Sequence, residues 1–346
     1  MTFDPHNLTP EISMNRVFIT ELGARAYDLL ASHALTALIQ EQAPALAQGS
    51  DPHRVFDAQL RAGNATAAAI AREFGQRLGH LLLTLRRGTA ADRAARPEWS
   101  DAHWAHWATV RRVWLGGGLV SGALGEWLPK HALGVLHEAG CTGYALHTAP
   151  HNAMLPLIGA ARRAPAGSDA ALVFDFGQSR IKRGWASYQA GNVVTLHTLP
   201  PRASGAQPGK WDAIGPGDLL ATMVRAIVET GREARAAGMP PTGAVLCSIA
   251  AYVQDGQPLA TQHGLYTRLC MLPGTPTDRL AERISAETGQ ETRVTLLHDG
   301  TAAALAYAGT ERAAVIMLGT ALGIGFPPPA AGLHPLDAGF TVQEME

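Results

Sequence analysis

Two periodicities divide the apolar positions of this chain. Ile70, Phe74, Leu78, Leu81, Leu82 and Leu85 recur at i, i+4, i+8, i+11, i+12 and i+15, one face of a helix over about 65–85. Helical spacing also predicts elements over 24–47 (broken at Pro44), from Val55 onward, through DAHWAHWATVRR, from Gly118 to Ala139, and over 155–163. Short apolar runs bounded by glycine predict strands at 113–115, 143–147, 172–174, 181–185, 193–196, 244–249, 294–297 and from Val315. Residues 87–100 and the Pro- and Gly-rich 199–217 are expected as loops, as is most of 256–276. Asp218 is the expected N-cap of a helix whose stripe is Leu220, Met223, Val224, Ile227 and Val228, and a helix over 277–288 is expected to stop at Gly289.

Within this pattern LVFDFGQSRIKRG, residues 172–184, is a strand, a tight glycine turn and a second strand, with Asp175 at the strand end. Gly177 leaves room for backbone N–H groups at Gly177, Gln178 and Ser179 to face a phosphate. The Asp175 carboxylate beside them can hold Mg²⁺, directly or through water. The Asp-Phe-Gly of a protein kinase requires an H-R-D…N loop upstream, and none precedes it. A Walker loop requires GxxxxGK[ST], and Gly177 to Lys182 lacks the second glycine and the Ser/Thr. The plain alternative is a β-hairpin whose aspartate caps a turn.

Three further stretches share this design. VWLGGGLVSG places Gly116, Gly117 and Gly118 between a strand and a helix. A Rossmann fingerprint there would need GxGxxG and an acidic residue after the next strand, and neither is present. VTLLHDGTAAALAYAG puts His298 and Asp299 at a strand end before a small-residue helix, where Asp299 can cap the helix, act chemically, or both. VIMLGTALGIGF offers a second glycine turn through Gly319, Thr320 and Gly323. His103 and His106 are three apart on one helical face without a cysteine beside them, and Pro150 interrupts His147 and His151, so neither pair predicts a zinc site.

Composition narrows the class. At 346 residues, with 47% apolar and 16% charged residues, the chain suits two domains with ample cores. A net charge of −1 gives no basic surface for nucleic acid or membrane. Cys141, Cys247 and Cys270 are isolated, no apolar run approaches membrane-spanning length, and the first residues carry no basic-then-apolar leader. A cytoplasmic protein is expected.

Together the four stretches resemble the actin, hexokinase and heat-shock ATPase superfamily, and within it the ROK sugar kinases. LVFDFGQSRIKRG is similar to the family's first phosphate loop, DxGGTxxK; LLHDGTAAA to its catalytic NDxxAAA; LGTALGIG to its second phosphate loop, GTGxGxG; VWLGGGLVS to its adenosine segment. The order differs, since the adenosine segment comes last in the family and here precedes Asp175. A circular permutation, with the natural ends joined through 164–170, accounts for this. The resemblance implies an α/β, two-domain actin-like ATPase (ribonuclease H-like) fold, circularly permuted. The implied domains are 1–149 plus 306–346, with the adenosine segment and second phosphate loop, and 150–305, with the first phosphate loop and catalytic aspartate. It implies ATP and Mg²⁺ as cofactors, a small-molecule acceptor such as a sugar, no nucleic-acid or membrane partner, and leaves a homodimer open. Asp299 would be the catalytic base, His298 and Asp299 the acceptor contacts, and Asp175 the Mg²⁺ residue, through water. Gly177, Gln178, Ser179, Gly319, Thr320 and Gly323 would cradle phosphates, and Gly116, Gly117 and Gly118 would floor the adenine; Lys182 is expected as a solvated strand residue. Gln178, Ala321 and His298 depart from the family pattern, and its zinc and Glu-x-x-His motifs are absent. A degenerate nucleotide-binding protein and an NAD-dependent enzyme are the rival readings.

Overall fold

The computed structural model describes residues 3–47, 51–205, 213–260 and 264–345. Its main helices and strands, in chain order, begin with α1 (Ser32–Gln42), α2 (Pro52–Arg61), α3 (Ala65–Arg87), α4 (Asp101–Thr109), β1 (Arg112–Gly116), α5 (Leu124–Glu138), β2 (Ala145–Thr148) and α6 (Leu155–Ala161). They continue with β3 (Ala170–Phe176), β4 (Arg180–Gln189), β5 (Asn192–Ala203), α7 (Pro216–Ala236), β6 (Ala244–Ile249), α8 (Pro276–Thr288), β7 (Arg293–His298), α9 (Asp299–Leu305), β8 (Ala313–Leu318), β9 (Leu322–Gly325) and β10 (Leu336–Glu344). The fold is mixed α/β. Among the described residues, no helix is long and apolar enough to cross a membrane.

The chain divides into two compact units. One is built from Glu11–Ala153 and Glu311–Phe326, with residues 3–5; the other from Met154–Thr310, His6–Pro10 and 327–345. The expected first domain included 306–346, but residues 306–310 and 327–345 belong to the second unit. The reason is β10, which pairs in parallel with β5 and sets Thr341 opposite Thr195 and Val342 opposite Leu196.

In the first unit four described strands form a sheet in the order β9-β8-β1-β2, with β8, β1 and β2 parallel and the β8–β9 pair antiparallel. Helix α3 starts where Asn64 Oδ1 accepts the amides of Thr66 and Ala67, and it ends at Gly88 in the left-handed region. Its expected stripe is fully buried. Gly75 and Gly79 let α5 approach its backbone; a Cβ on Gly79 would lie 2.8 Å from the Ala132 carbonyl oxygen.

In the second unit six described strands run in the order β7-β6-β3-β4-β5-β10. Strands β3, β4 and β5 form an antiparallel meander, β6 lies parallel to β3, and β7 parallel to β6. Alternation along β3 divides the core. Leu172, Phe174 and Phe176 join Met223 and Ile227 of α7 and Leu280 and Ile284 of α8 in one cluster. Ala171 and Val173 join Leu157 and Ile158 of α6 in another. Helix α6 meets α9 through Gly159, whose missing Cβ would overlap the Ala302 carbonyl oxygen. The small residues after Asp299 thus do what their size suggests.

Local differences from expectation have local causes. Ala31 is extended and splits the first expected helix into Ala26–Leu30 and α1. A Thr89/Asp92 capping box builds a short helix, Ala90–Ala94, inside an expected loop. Strand β5 continues through Pro200 and Pro201 because the register with β4 shifts between Ile181 and Arg183, a bulge that tolerates proline. Helix α7 begins at Pro216 after Gly215, which leaves Asp218 in its first turn rather than at the cap.

The α6–α9 contact gives a first prediction. Gly159→Ala should destabilise the protein by about 1–3 kcal/mol through overpacking, read as a lower urea midpoint. Gly217→Ala, at a helical position with no heavy atom within 4 Å of the added Cβ, should leave the midpoint unchanged or raise it.

Candidate active site

All four motifs lie at or just past the carboxyl ends of parallel strands: Gly116 ends β1, Asp175 is the penultimate residue of β3, His298 ends β7, and Gly319 follows β8. Ligands of α/β sheets gather at such ends. The structure groups the residues unit by unit. Asp175, Gly177, Gln178, Ser179, His298 and Asp299 belong to the second unit, and Gly116, Gly117, Gly118, Gly319, Thr320 and Gly323 to the first.

Asp175 extends the face of Ala171 and Val173, and only 6% of it is exposed. Its register neighbours are Lys182 across β4 and Ser248 across β6. Ser248 Oγ donates to Asp175 Oδ1 at 2.9 Å, and Lys182 Nζ lies 2.9 Å from Oδ2. Lys182 is therefore not a solvated strand residue. Cross-strand pairing turns it onto the aspartate's face, and its side chain is 25% exposed.

The turn after β3 is tightly tied. The Gly177 amide donates to the Arg180 carbonyl at 3.1 Å, so it closes the hairpin rather than facing outward as expected. A Cβ at Gly177 would stand 2.9 Å from that carbonyl oxygen, which is why the position needs glycine. Ser204 Oγ and amide donate to the carbonyls of Gln178 and Ser179, at 2.6 and 3.1 Å. Tyr266 Oη donates to the Gly177 carbonyl at 3.2 Å, and burial, then the nearby Asp175 charge, push its phenol up and keep it a donor.

His298, not Asp299, is the N-cap of α9, with Nδ1 accepting the Thr301 amide at 3.2 Å. Its ring stacks on Tyr252, centroids 4.5 Å apart at 16°. Asp299 is the first residue of the helix, and 29% of its side chain is exposed. Its Oδ1 accepts the Gly300 amide at 2.7 Å and lies 3.1 Å from His298 Nε2. Burial, then the Asp175 charge, push the Asp299 carboxyl up to about 7, against the opposing Gly300 amide and Lys182. Burial pushes the His298 imidazole down to about 3. A neutral imidazole thus stands beside a carboxyl poised near neutrality, the range that suits a general base.

In the first unit, Gly117 has φ +96°, and its missing Cβ would collide with the Leu318 backbone. The turns after β1 and β8 therefore lie side by side. The Gly117 amide donates to the Asn152 carbonyl at 3.0 Å, and Asn152 Nδ2 donates to the Val120 carbonyl at 2.9 Å. The Ser32 amide donates to the Gly319 carbonyl at 2.8 Å. Asn15 bridges the amide and carbonyl of Leu322, both at 2.8 Å. Gly323 lies within β9 opposite Met317, so the second turn is Gly319, Thr320 and Ala321, and Gly323 is outside it. A cavity of about 440 Å³ opens beside Val120, lined also by Ser121, Glu126, His147, Thr148 and Asn152. His103 and His106 pack their rings against Phe3, and His106 also packs against Phe326.

Ser248, Tyr252, Tyr266, Ser204, Asn15 and Asn152 were not legible as site residues. Each is a single polar residue with no motif of its own, brought to the turns by strand register or by a long loop. Comparison with protein-family models, with curated proteins and with solved structures found no match.

The two shifted groups give opposite pH dependences. The folded chain keeps the Asp299 proton from its ordinary 3.8 up to about 7, so this contribution is present below 3.8 and is lost as pH rises through 7. The folded chain refuses a proton on His298 from 6.5 down to about 3, so that contribution is present above 6.5 and is lost as pH falls. Asp299→Asn keeps an Oδ1 acceptor for the Gly300 amide and removes the first dependence. Its stability relative to wild type should rise by about 1–3 kcal/mol between pH 4 and pH 8, measured by urea unfolding at each pH.

Proposed function

We propose that this chain is an ATP-dependent phosphotransferase that moves the γ-phosphate to a hydroxyl of a sugar or sugar-like small molecule, on a circularly permuted, actin-like fold. The observation that carries the reading is the pair of carboxylates, Asp175 and Asp299, at the carboxyl ends of β3 and β7 on one sheet. One is ionically paired with Lys182, and the other is raised to about 7 by burial and by its neighbour's charge. Phosphoryl transfer asks for this asymmetry, a charged group toward the metal and phosphates and a base near neutrality toward the acceptor.

The topology supports the fold. An antiparallel meander extended on its first strand by two parallel strands, as in β5-β4-β3-β6-β7, is the arrangement of a ribonuclease H-like domain. The order β9-β8-β1-β2 matches the same plan without its third strand, and a permutation explains why β8 and β9 follow β1 and β2 in sequence. In this reading Asp299 Oδ2 takes the acceptor's proton. Within the first unit, the turn at Gly319–Thr320 would serve the phosphates, and the cavity beside Val120 and Ser121, which follow Gly116–Gly118, would take the adenosine.

Mg²⁺ fits the site through water. Both Asp175 oxygens already have protein partners, yet each carboxylate oxygen keeps a lone pair for a hydration water, the mode in which Mg²⁺ retains several waters. Bound there with the nucleotide, it would neutralise the charge of the transferring phosphate. Lys182 adds a second positive charge beside Asp175.

A non-catalytic nucleotide-binding protein is the second reading. What favours it is that the Gly177 amide and Gly323 are committed inside their hairpins, which leaves fewer backbone donors for phosphate.

The test is ADP release from Mg²⁺-ATP over a panel of hexoses, N-acetylhexosamines and polyols, with ATP binding followed by calorimetry. Acceptor-dependent release should fall about 10²–10⁴-fold in Asp299→Asn while ATP affinity holds. ATP binding without release for any acceptor would establish the second reading. No ATP binding would end both.

A further inference from the structure

We infer that Asn15 is a positioning residue for the turn at Gly319–Ala321, and that the segment before α1 thereby belongs to the nucleotide site. The inference rests on the reading of that turn as the phosphate site and deepens it. None of the stretches that carry the resemblance includes a residue before Val113.

The turn joins β8 to β9, and β9 is an edge strand of the described sheet. The outer side of such a strand carries backbone N–H and C=O groups that no neighbouring strand pairs. At Leu322, the first residue of β9, a side-chain amide takes the place of that strand. Asn15 Oδ1 accepts the Leu322 amide and Asn15 Nδ2 donates to the Leu322 carbonyl, both at 2.8 Å. Nδ2 also donates to Ser13 Oγ at 3.2 Å. On the other side of the turn the Ser32 amide donates to the Gly319 carbonyl at 2.8 Å. One segment, distant in sequence, thus holds both ends of the turn. Asn15 is itself fixed from behind. Met14 is fully buried, and the Ser13 and Glu11 carbonyls accept from Arg96 Nη2 at 2.9 and 2.6 Å. Trp99 Nε1 donates to the same Glu11 carbonyl at 3.0 Å, and the Arg96 guanidinium lies over the Trp99 ring.

The brace takes up carbonyls and leaves donors. Ser32 occupies the Gly319 carbonyl and Asn15 both backbone groups of Leu322, whereas the amides of Gly319 and Ala321 meet no acceptor among the described residues. A Cβ added at Gly319 would find the Ala321 carbonyl oxygen as its nearest neighbour, at 3.9 Å, so packing does not require glycine there. Backbone donors without acceptors, on a fixed turn with open space before its glycine, suit the oxygens of an anion. A side chain locked by packing and by further hydrogen bonds holds its target to the tolerance that a binding site needs. A turn ordered in advance also loses less entropy when the phosphate arrives.

Asn15→Leu keeps the size of the side chain and removes its hydrogen bonds. Hydrogen exchange of the full-length protein, read by mass spectrometry without any ligand, should then speed up about tenfold in the peptide spanning the turn and β9, with β1 and β2 unchanged. The Kd for Mg²⁺-ATP, by calorimetry, should rise about tenfold. In the ADP-release assay KM for ATP should rise while kcat holds, because the lost bonds serve binding and not proton transfer. Coupling between sites is reciprocal, so Mg²⁺-ATP should slow exchange across residues 13–19 of the wild type, a measurement that needs no variant to fold. ATP that binds and leaves 13–19 unchanged overturns the inference. An unchanged turn peptide in Asn15→Leu overturns it whether or not ATP binds, and so does a loosened turn with ATP affinity intact. A loosened turn in Asn15→Leu, with no ATP binding by the wild type, overturns the phosphate reading of the turn, and with it the task of Asn15.

Discussion

A carboxylate taken out of water at the end of a central strand needs compensation from its immediate neighbours, or it gives up its charge. Asp175 receives that compensation from the two strands beside its own. Lys182 stands opposite it on β4 and Ser248 on β6. Both contacts depend on register. A one-residue slip of either strand would turn its partner to the other face and leave the carboxylate alone. The order of the sheet and the chemistry of the site are thus a single constraint. The charge held there is also what raises Asp299, second only to burial.

The second constraint is close approach of backbone. Gly159 admits the Ala302 carbonyl where a Cβ would sit, and Gly117 admits the backbone of Leu318. The first contact seats α9, the helix that begins with Asp299. The second sets the turn after β1 against the turn after β8. Neither contact involves a side chain at the glycine, so neither could survive a larger residue without movement of the main chain.

Capping and electrostatics meet at the start of α9. The N-cap position needs a side-chain acceptor for the Thr301 amide, and His298 supplies Nδ1. In doing so it fixes which nitrogen keeps the proton, and that nitrogen lies 3.1 Å from Asp299 Oδ1. An asparagine at the same position would cap the helix but would not bring a ring to the carboxylate. Burial then keeps both groups from forming a fully charged pair, because it disfavours ionisation of each.

The sequence by itself determined the local elements and the places where chemistry could occur. The helix over 65–85, the hairpin at Asp175, the strand ending in His298 and the glycine turns at 116–118 and 319–320 are set by period and by glycine, which act within a few residues. It did not determine the partners of those positions. Lys182 read as solvated until strand pairing turned it onto Asp175. Gly323 read as a loop residue until β9 formed opposite β8. Residues 327–345, rich in Pro and Gly at their start, gave no sign that β10 would join the other unit's sheet. Ser204, Ser248 and Asn15 carry no local signal, because their use depends on residues that are distant in sequence. Pattern along a chain reports what one residue and its near neighbours prefer; pairing, register and burial depend on segments that only the folded chain brings together.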